Sequence, residues 1–214
     1  MGGPPTARGF LVWWAERQLR RFRYVFRLCS RPDVILVGEL LDLETVRVAI
    51  EAANKGHLVF ATSHASSAAE AISGLISQFP GTEQNQIATA LSQALTAVVV
   101  QRLVPTTNGR LAPARELLLN TTSISSKIRD MSFSSLTQAL KLREGMYTFE
   151  DELAMLWARD MISTEMAYKY SNDRIEMKSK LDFASTNKAE VAAASNRTII
   201  GMNEMLGRAS TTPA

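Results

Sequence analysis

The chain has 214 residues, 46% of them hydrophobic, which is enough for one medium domain with a real core, alone or with appendages. Its longest apolar runs, such as Ala97–Val100, are far too short to cross a bilayer, and the short Phe10–Trp14 patch is followed by a run of arginines, the wrong order for a signal peptide. The single cysteine, Cys29, excludes an intramolecular disulfide and fits a reducing compartment.

The formal net charge of +3 is unevenly spread, with Arg17, Arg20, Arg21, Arg23, Arg27 and Arg31 crowded near the start. Such a cluster reads as a patch for nucleic acid or anionic membrane, as a solvated face, or as a segment that does not belong to the fold. The last two outweigh the first. Met1–Gly9 is rich in Gly and Pro and reads as disordered. Phe10–Leu28 sets Trp13, Trp14, Phe22, Tyr24 and Phe26 among arginines and reads as an irregular amphipathic helix.

Order begins at Arg31. In Asp33-Val34-Ile35-Leu36-Val37-Gly38-Glu39, four apolar residues, three of them β-branched, lie between a Pro-Asp start and a Gly-Glu stop. That pattern predicts a short parallel strand buried on both faces. Its carboxyl end delivers Glu39, and ligands of open α/β sheets bind at that edge. Asp42 then caps a helix with Glu44 in its first turn, and Leu43, Val46, Ile50 and Ala53 recur at helical spacing. Gly56 suits a left-handed stop, and Leu58–Thr62 follows as a second buried strand. Strand, helix and strand make a βαβ unit, whose crossover is almost always right-handed.

This geometry sorts the chain's two histidines. His57 opens the second strand and His64 follows its end, so they lie roughly 15 Å or more apart at the ordinary rise of a strand. They cannot share one metal ion, and a zinc site is rejected. His64 lies at the same edge as Glu39. If the strands are neighbours, roughly 5 Å apart, the two side chains can converge on one ligand. Taken alone, His64 reads more readily as a loop histidine satisfied by backbone groups.

Ser66 and Ser67 cap a helix over Ala68–Gln78, and Thr82 caps another through Leu95, with Ile87, Leu91 and Leu95 on one face. Two β-rich runs, Ala97–Val104 and Arg110–Leu119, flank Asn108-Gly109, a strong hairpin signal. On them, Arg102 reads as a solvated charge and Arg115 is undecided. Helices follow over Ser123–Asp130, over Ser134–Arg143, after the Thr148 cap, and over Thr164–Tyr170. From Asn172 the chain is polar, with a frayed end after Gly207.

A carboxylate and a histidine at one sheet edge suit general-base activation of water and the sensing of a transferred phosphoryl group. The usual phosphate cradle, G-x-x-x-x-G-K-[ST], occurs nowhere in the sequence. There is no serine elbow or metal-ligand cluster, and Cys29 has no local base.

Together these motifs are specific. Pro32–Glu39 followed by Asp42-Leu43-Glu44-Thr45 closely resembles the Walker B segment of type IV pilus retraction ATPases of the PilT type. Gly56–His64 resembles their histidine box, with Ser66-Ser67-Ala68 following. Phe79-Pro80, Glu83-Gln84, Ala97–Pro105 with its hairpin, Glu144–Glu150 and Leu156–Ser171 also fit, so the resemblance covers roughly residues 30–175. It implies an α/β fold: the C-terminal part of a RecA-like P-loop ATPase core, a parallel βαβ unit plus a β-hairpin, followed by a helical C-terminal region. The implied organisation is an atypical segment 1–30, a core portion 31–120, a helical region 121–175 and a polar, partly disordered tail 176–214.

By the same resemblance, Glu39 is the catalytic glutamate that polarises the attacking water and supports Mg2+ through water. His64 approaches the γ-phosphate of ATP and reports nucleotide state. The family's function is ATP-driven retraction in twitching motility, or related type II/IV secretion. The implied partners are a six-subunit ring with paralogous ATPase subunits and an inner-membrane pilus or secretion platform protein, with no nucleic acid. The implied location is cytoplasmic, peripheral to the inner membrane.

The sequence also departs from the family. The N-terminal PAS-like lobe, P-loop and acidic box that precede Walker B are not found, which implies a C-terminal fragment inactive by itself. Leu41 stands where an arginine is common. The retraction motif maps to Ser123–Asp130, where only Ile124, Ile128, Arg129 and an acidic end survive. This favours a divergent or PilU-like accessory member, a relative serving secretion or conjugation, or a non-catalytic module that joins a ring of complete paralogues. The first thirty residues match no part of the family and read as a frameshifted or misassigned start.

Overall fold

The computed structural model describes residues 11–12, 33–141 and 145–193. The readings placed on residues 1–10, 13–32, 142–144 and 194–214 lie outside that range. The described residues form two compact units, one from those up to 96 together with 120–133, the other from 97–119 together with those from 134 onward.

The first unit is built on a parallel sheet of β1 (Leu11–Val12), β2 (Val34–Val37) and β3 (Leu58–Ala61), in that order. Leu11 and Val12, read from sequence as part of an irregular helix, instead pair with Ile35 and Leu36. The open edge of β2 offers them backbone hydrogen bonds. Between β2 and β3 runs α1 (Leu43–Asn54), the helix of the βαβ unit. Its cap is the expected one: the Asp42 carboxylate accepts from the Thr45 N–H at 2.8 Å and from the Thr45 hydroxyl at 2.9 Å. Val46, Ala49 and Ile50 form its buried stripe. Gly56 ends the turn beyond the helix at φ +92°, a conformation that disfavours any side chain.

Helices α2 (Ala68–Ser77), α3 (Gly81–Ala94) and α4 (Thr122–Arg129) complete this unit. Ile72, Ile76, Phe79, Ile124 and Ile128 are almost wholly buried. Helix α3 begins at Gly81, one residue before the expected Thr82 cap, and no side chain caps it. Pro80 supplies a fixed φ of −53°, and its carbonyl accepts from the Glu83 N–H at 2.8 Å.

The expectation that β2 is buried on both faces is not met among the described residues. Ile35 is 6% exposed, whereas Leu36 is 46% exposed and its cross-strand neighbour Phe60 is 49% exposed. An apolar run fits a half-covered strand and a fully covered one equally well, since periodicity reports only that some apolar face exists.

The second unit is organised on an antiparallel hairpin, β4 (Ala97–Pro105) and β5 (Leu111–Leu119), closed by a turn with Gly109 at φ +77°. Around it lie α5 (Phe133–Lys141), α6 (Phe149–Ala158) and α7 (Thr164–Tyr170). The polar stretch beyond Asn172 adds two helices that its composition does not announce, α8 (Arg174–Thr186) and α9 (Lys188–Ala193). A reciprocal capping box between Thr148 and Asp151 starts α6.

Arg102 is no solvated charge. Its guanidinium stacks 4.4 Å from the Phe149 ring and donates to the Tyr170 carbonyl at 3.0 Å and to Asn172 Oδ1 at 2.7 Å. Beside it the buried Glu150 carboxylate accepts from the Asn172 and Asp173 N–H groups at 2.7 and 3.0 Å. Arg115 donates through Nη2 to Glu152 Oε1 at 2.9 Å. Burial pushes the Glu152 carboxyl above its ordinary value, outweighing the hydrogen bond and charge of Arg115. Burial likewise raises the Tyr147 phenol, with the negative charge of Glu152 adding to it.

Two predictions follow from these local arrangements. Replacing Gly56 by Ala forces a side chain into the left-handed region, although the space around it is open. The cost is about 1 kcal/mol, read as a lower denaturation midpoint with an unchanged m-value. For Glu152, a folded-state pKa above the unfolded one gives stability that is full below the ordinary carboxylate range and lost as pH rises through the raised value. The stability advantage of the wild type over Glu152→Gln therefore shrinks with rising pH across the acid range, measured by thermal unfolding at a series of pH values.

Candidate functional site

The register of β2 and β3 places the candidate residues. Val34, Ile35, Leu36 and Val37 pair with Leu58, Val59, Phe60 and Ala61, so the two strands run out of partners at the same edge. Two residues beyond Val37 stands Glu39, and three beyond Ala61 stands His64. Their side chains meet: His64 Nε2 lies 2.5 Å from Glu39 Oε1. The convergence anticipated from strand order is present in the geometry. His57 precedes β3, its N–H donating to the Ala52 carbonyl at 3.2 Å, and so lies at the opposite end of that strand.

The contact faces solvent, with the His64 side chain 90% exposed and that of Glu39 34% exposed. It is an ion pair when the ring is protonated and a hydrogen bond from a neutral ring when Nε2 carries the proton. An exposed pair of this kind holds its partners weakly and leaves both open to a third group. Chemically, the carboxylate can accept a proton from water or face a hydrated cation, and the imidazole N–H can donate to an anionic oxygen.

Behind this edge the scaffold is fixed by short-range hydrogen bonds. The loop carrying His64 ends where the Ser66 N–H donates to Glu70 Oε2 at 2.7 Å, while Ser67 Oγ caps α2 by accepting from the Glu70 N–H at 3.2 Å. Glu70 is a support that sequence reasoning passed over, although Ser67-x-x-Glu70 is a legible capping pattern. Farther along α1, Arg47 joins Glu83 at 2.5 Å and stacks 5.2 Å from the Phe79 ring, tying the crossover helix to α3. Among the described residues no group of three or more His, Cys, Asp or Glu side chains is arranged to hold a metal ion.

A family model described as "Type II/IV secretion system protein" matches residues 16–190. The match begins inside the segment that sequence reading sets apart from the family. The type IV pilus retraction ATPase PilT of Pseudomonas aeruginosa is 38% identical over 138 residues, covering 64% of this chain and 40% of the relative. The type IV pilus ATPase PilU of the same organism is 34% identical over 166 residues, covering 76% of this chain and 44% of the relative. The chain thus spans about two-fifths of the length of these curated relatives. A crystal structure of the pilus retraction motor PilT with bound ADP superposes with a TM-score of 0.68 at 34% identity, covering 76% of this chain and 46% of that one. The α/β architecture and the helical region after the hairpin are shared with that structure. The chain belongs to the type II/IV secretion system protein family, on its PilT-like side.

Proposed function

We propose that this chain carries the hydrolytic edge of a motor ATPase serving type IV pilus retraction or a related secretion machine. The observation that supports this reading most directly is the contact between Glu39 and His64, where two neighbouring parallel strands end. On this reading ATP supplies the phosphoryl group to be transferred, and a bound Mg2+ ion would supply the positive charge such a transfer needs. Glu39 orients and polarises the attacking water and would be the residue that holds the cation. His64 holds a hydrogen bond toward the terminal phosphate and exchanges it for Glu39 as the nucleotide changes.

The side chains present fit such a cation. Mg2+ keeps most of its waters and takes one or two carboxylates besides the phosphates, so a single carboxylate at an open edge suits it better than a closed cage would. The phosphate-binding half is a different matter. No G-x-x-x-x-G-K-[ST] occurs in the sequence, so the cradle is supplied from outside these residues. A ring built with paralogous ATPase subunits, six in the family pattern and docked on an inner-membrane platform from the cytoplasmic side, provides it. Residues 31–120 then act as the core portion, joined in its sheet by Leu11 and Val12, and 121–175 as the helical region, which α8 and α9 continue. No helix among the described residues is long and apolar enough to cross a membrane.

A second reading has its own support. The segment Ser123–Asp130 departs from the retraction motif, and Leu41 replaces the usual arginine beside the site. Both favour an accessory subunit that joins a ring without hydrolysing ATP there.

One experiment separates the two readings. The chain alone should bind ATP near the detection limit of calorimetry and turn over none, and micromolar affinity overturns this part of the proposal. Mixed with a complete paralogue whose own catalytic glutamate is disabled, the wild-type chain restores turnover. Glu39→Gln lowers the restored rate on the order of 100-fold, the lower range for a lost general base. An unchanged rate removes Glu39 from the mechanism and leaves the accessory reading.

A further inference from the structure

We infer that Thr62 is a positioning residue for the Glu39–His64 pair, acting through both of its hydrogen bonds to the segment around Glu39. The Thr62 hydroxyl donates to the Gly38 carbonyl, and the Thr62 carbonyl accepts from the Leu40 N–H at 2.9 Å. These partners are the residues immediately before and after Glu39, so one side chain and one peptide unit bracket the carboxylate from the neighbouring strand. His64 lies two residues beyond Thr62. The same residue therefore fixes where both side chains leave the sheet.

The need for such a bracket follows from Gly38. Gly38 carries no Cβ, and the space where one would sit is open for 4 Å, so no side chain of its own restrains the peptide that precedes Glu39. Glycine samples backbone conformations closed to other residues, and without an external hydrogen bond the Gly38 peptide rotates and takes Glu39 with it. Past the last register pair, Val37 with Ala61, the regular ladder no longer supplies that constraint. The hydroxyl is the one feature that distinguishes Thr62 from valine, which has the same shape and the same preference for extended backbone. Serine keeps the hydroxyl and loses only the methyl group.

This inference rests on the reading of Glu39 and His64 as one site, and a measurement on the full chain distinguishes its failure from the failure of that reading. The His64 ring resonances are recorded by carbon–proton correlation NMR with and without Glu39→Gln, in the Thr62, Thr62→Val and Thr62→Ser backgrounds. Dispersed amide spectra check that each variant is folded. With Thr62 in place, Glu39→Gln displaces the His64 signals. The displacement is lost in Thr62→Val and restored in Thr62→Ser, a rescue that a merely space-filling role does not give. If the displacement persists undiminished in Thr62→Val, the role of Thr62 is overturned and the pair stands. If Glu39→Gln leaves His64 unmoved even beside Thr62, the pairing fails, and both the inference and the proposed site fall with it.

Discussion

The site depends on the parallel pairing of β2 with β3. In a parallel ladder both strands finish at one edge, so residues separated by a whole crossover helix are delivered to the same place. An antiparallel pairing of the same two runs would have put Glu39 and His64 at opposite ends. Register matters as much as direction. Slipping β3 by one residue would move His64 along the edge, and would also turn Val59 out and Phe60 in against α1, because side chains alternate with period two. The buried stripe of α1, with Val46 only 1% exposed, penalises that slip, and the Asp42 cap and Gly56 turn fix the helix length between the strands.

Much of this was legible in the sequence. The run Val34–Val37, the Asp42 cap, the Gly56 stop and the strand at Leu58 each carry a local signal whose cause is stereochemical. Local causes survive into the fold whatever surrounds them. Their sum gave the parallel unit, and with it the meeting of Glu39 and His64. What lay hidden depended on neighbours distant in sequence. Whether one face of β2 or both would be covered is decided by elements that the strand's own residues do not encode. Arg102 read as a surface charge because its partners, Phe149, Tyr170 and Asn172, lie far along the chain and come together only when α6 and α7 fold onto the hairpin. Helix α8 is an intermediate case. Met177, Leu181 and Ala184 are buried at helical spacing, but the exposed Ile175 and Phe183 blur the periodicity that would have revealed them.

The helix α4 shows how far a surviving motif may be trusted. Of the segment compared with the family's retraction motif, Ile124 and Ile128 are retained, and both are fully buried in the first unit. Removing either would open a cavity, a cost paid in stability whatever the protein does. Their agreement with the motif is therefore accounted for by packing alone. Between them stand Ser125, Ser126 and Lys127, and Ser125 donates to the Ser92 carbonyl at 2.9 Å, a bond that secures α4 to the end of α3.

The exposure of the Glu39–His64 pair carries a last consequence. A contact in which the imidazole is 90% open to water is screened by solvent and by salt, and it holds neither side chain firmly. That weakness is useful if the pair is to part when a phosphate arrives, since a group of higher charge displaces the carboxylate from the histidine at little cost. For hydrolysis it is less favourable, because an imidazole in water adds little to the half-buried carboxylate beside it. Electrostatic groups become effective catalysts only where water is excluded and the local dielectric falls. In the proposed mechanism, then, the surface that completes this edge contributes more than a phosphate cradle. By burying Glu39 and His64 it converts a loose surface contact into a site where the same two side chains act strongly.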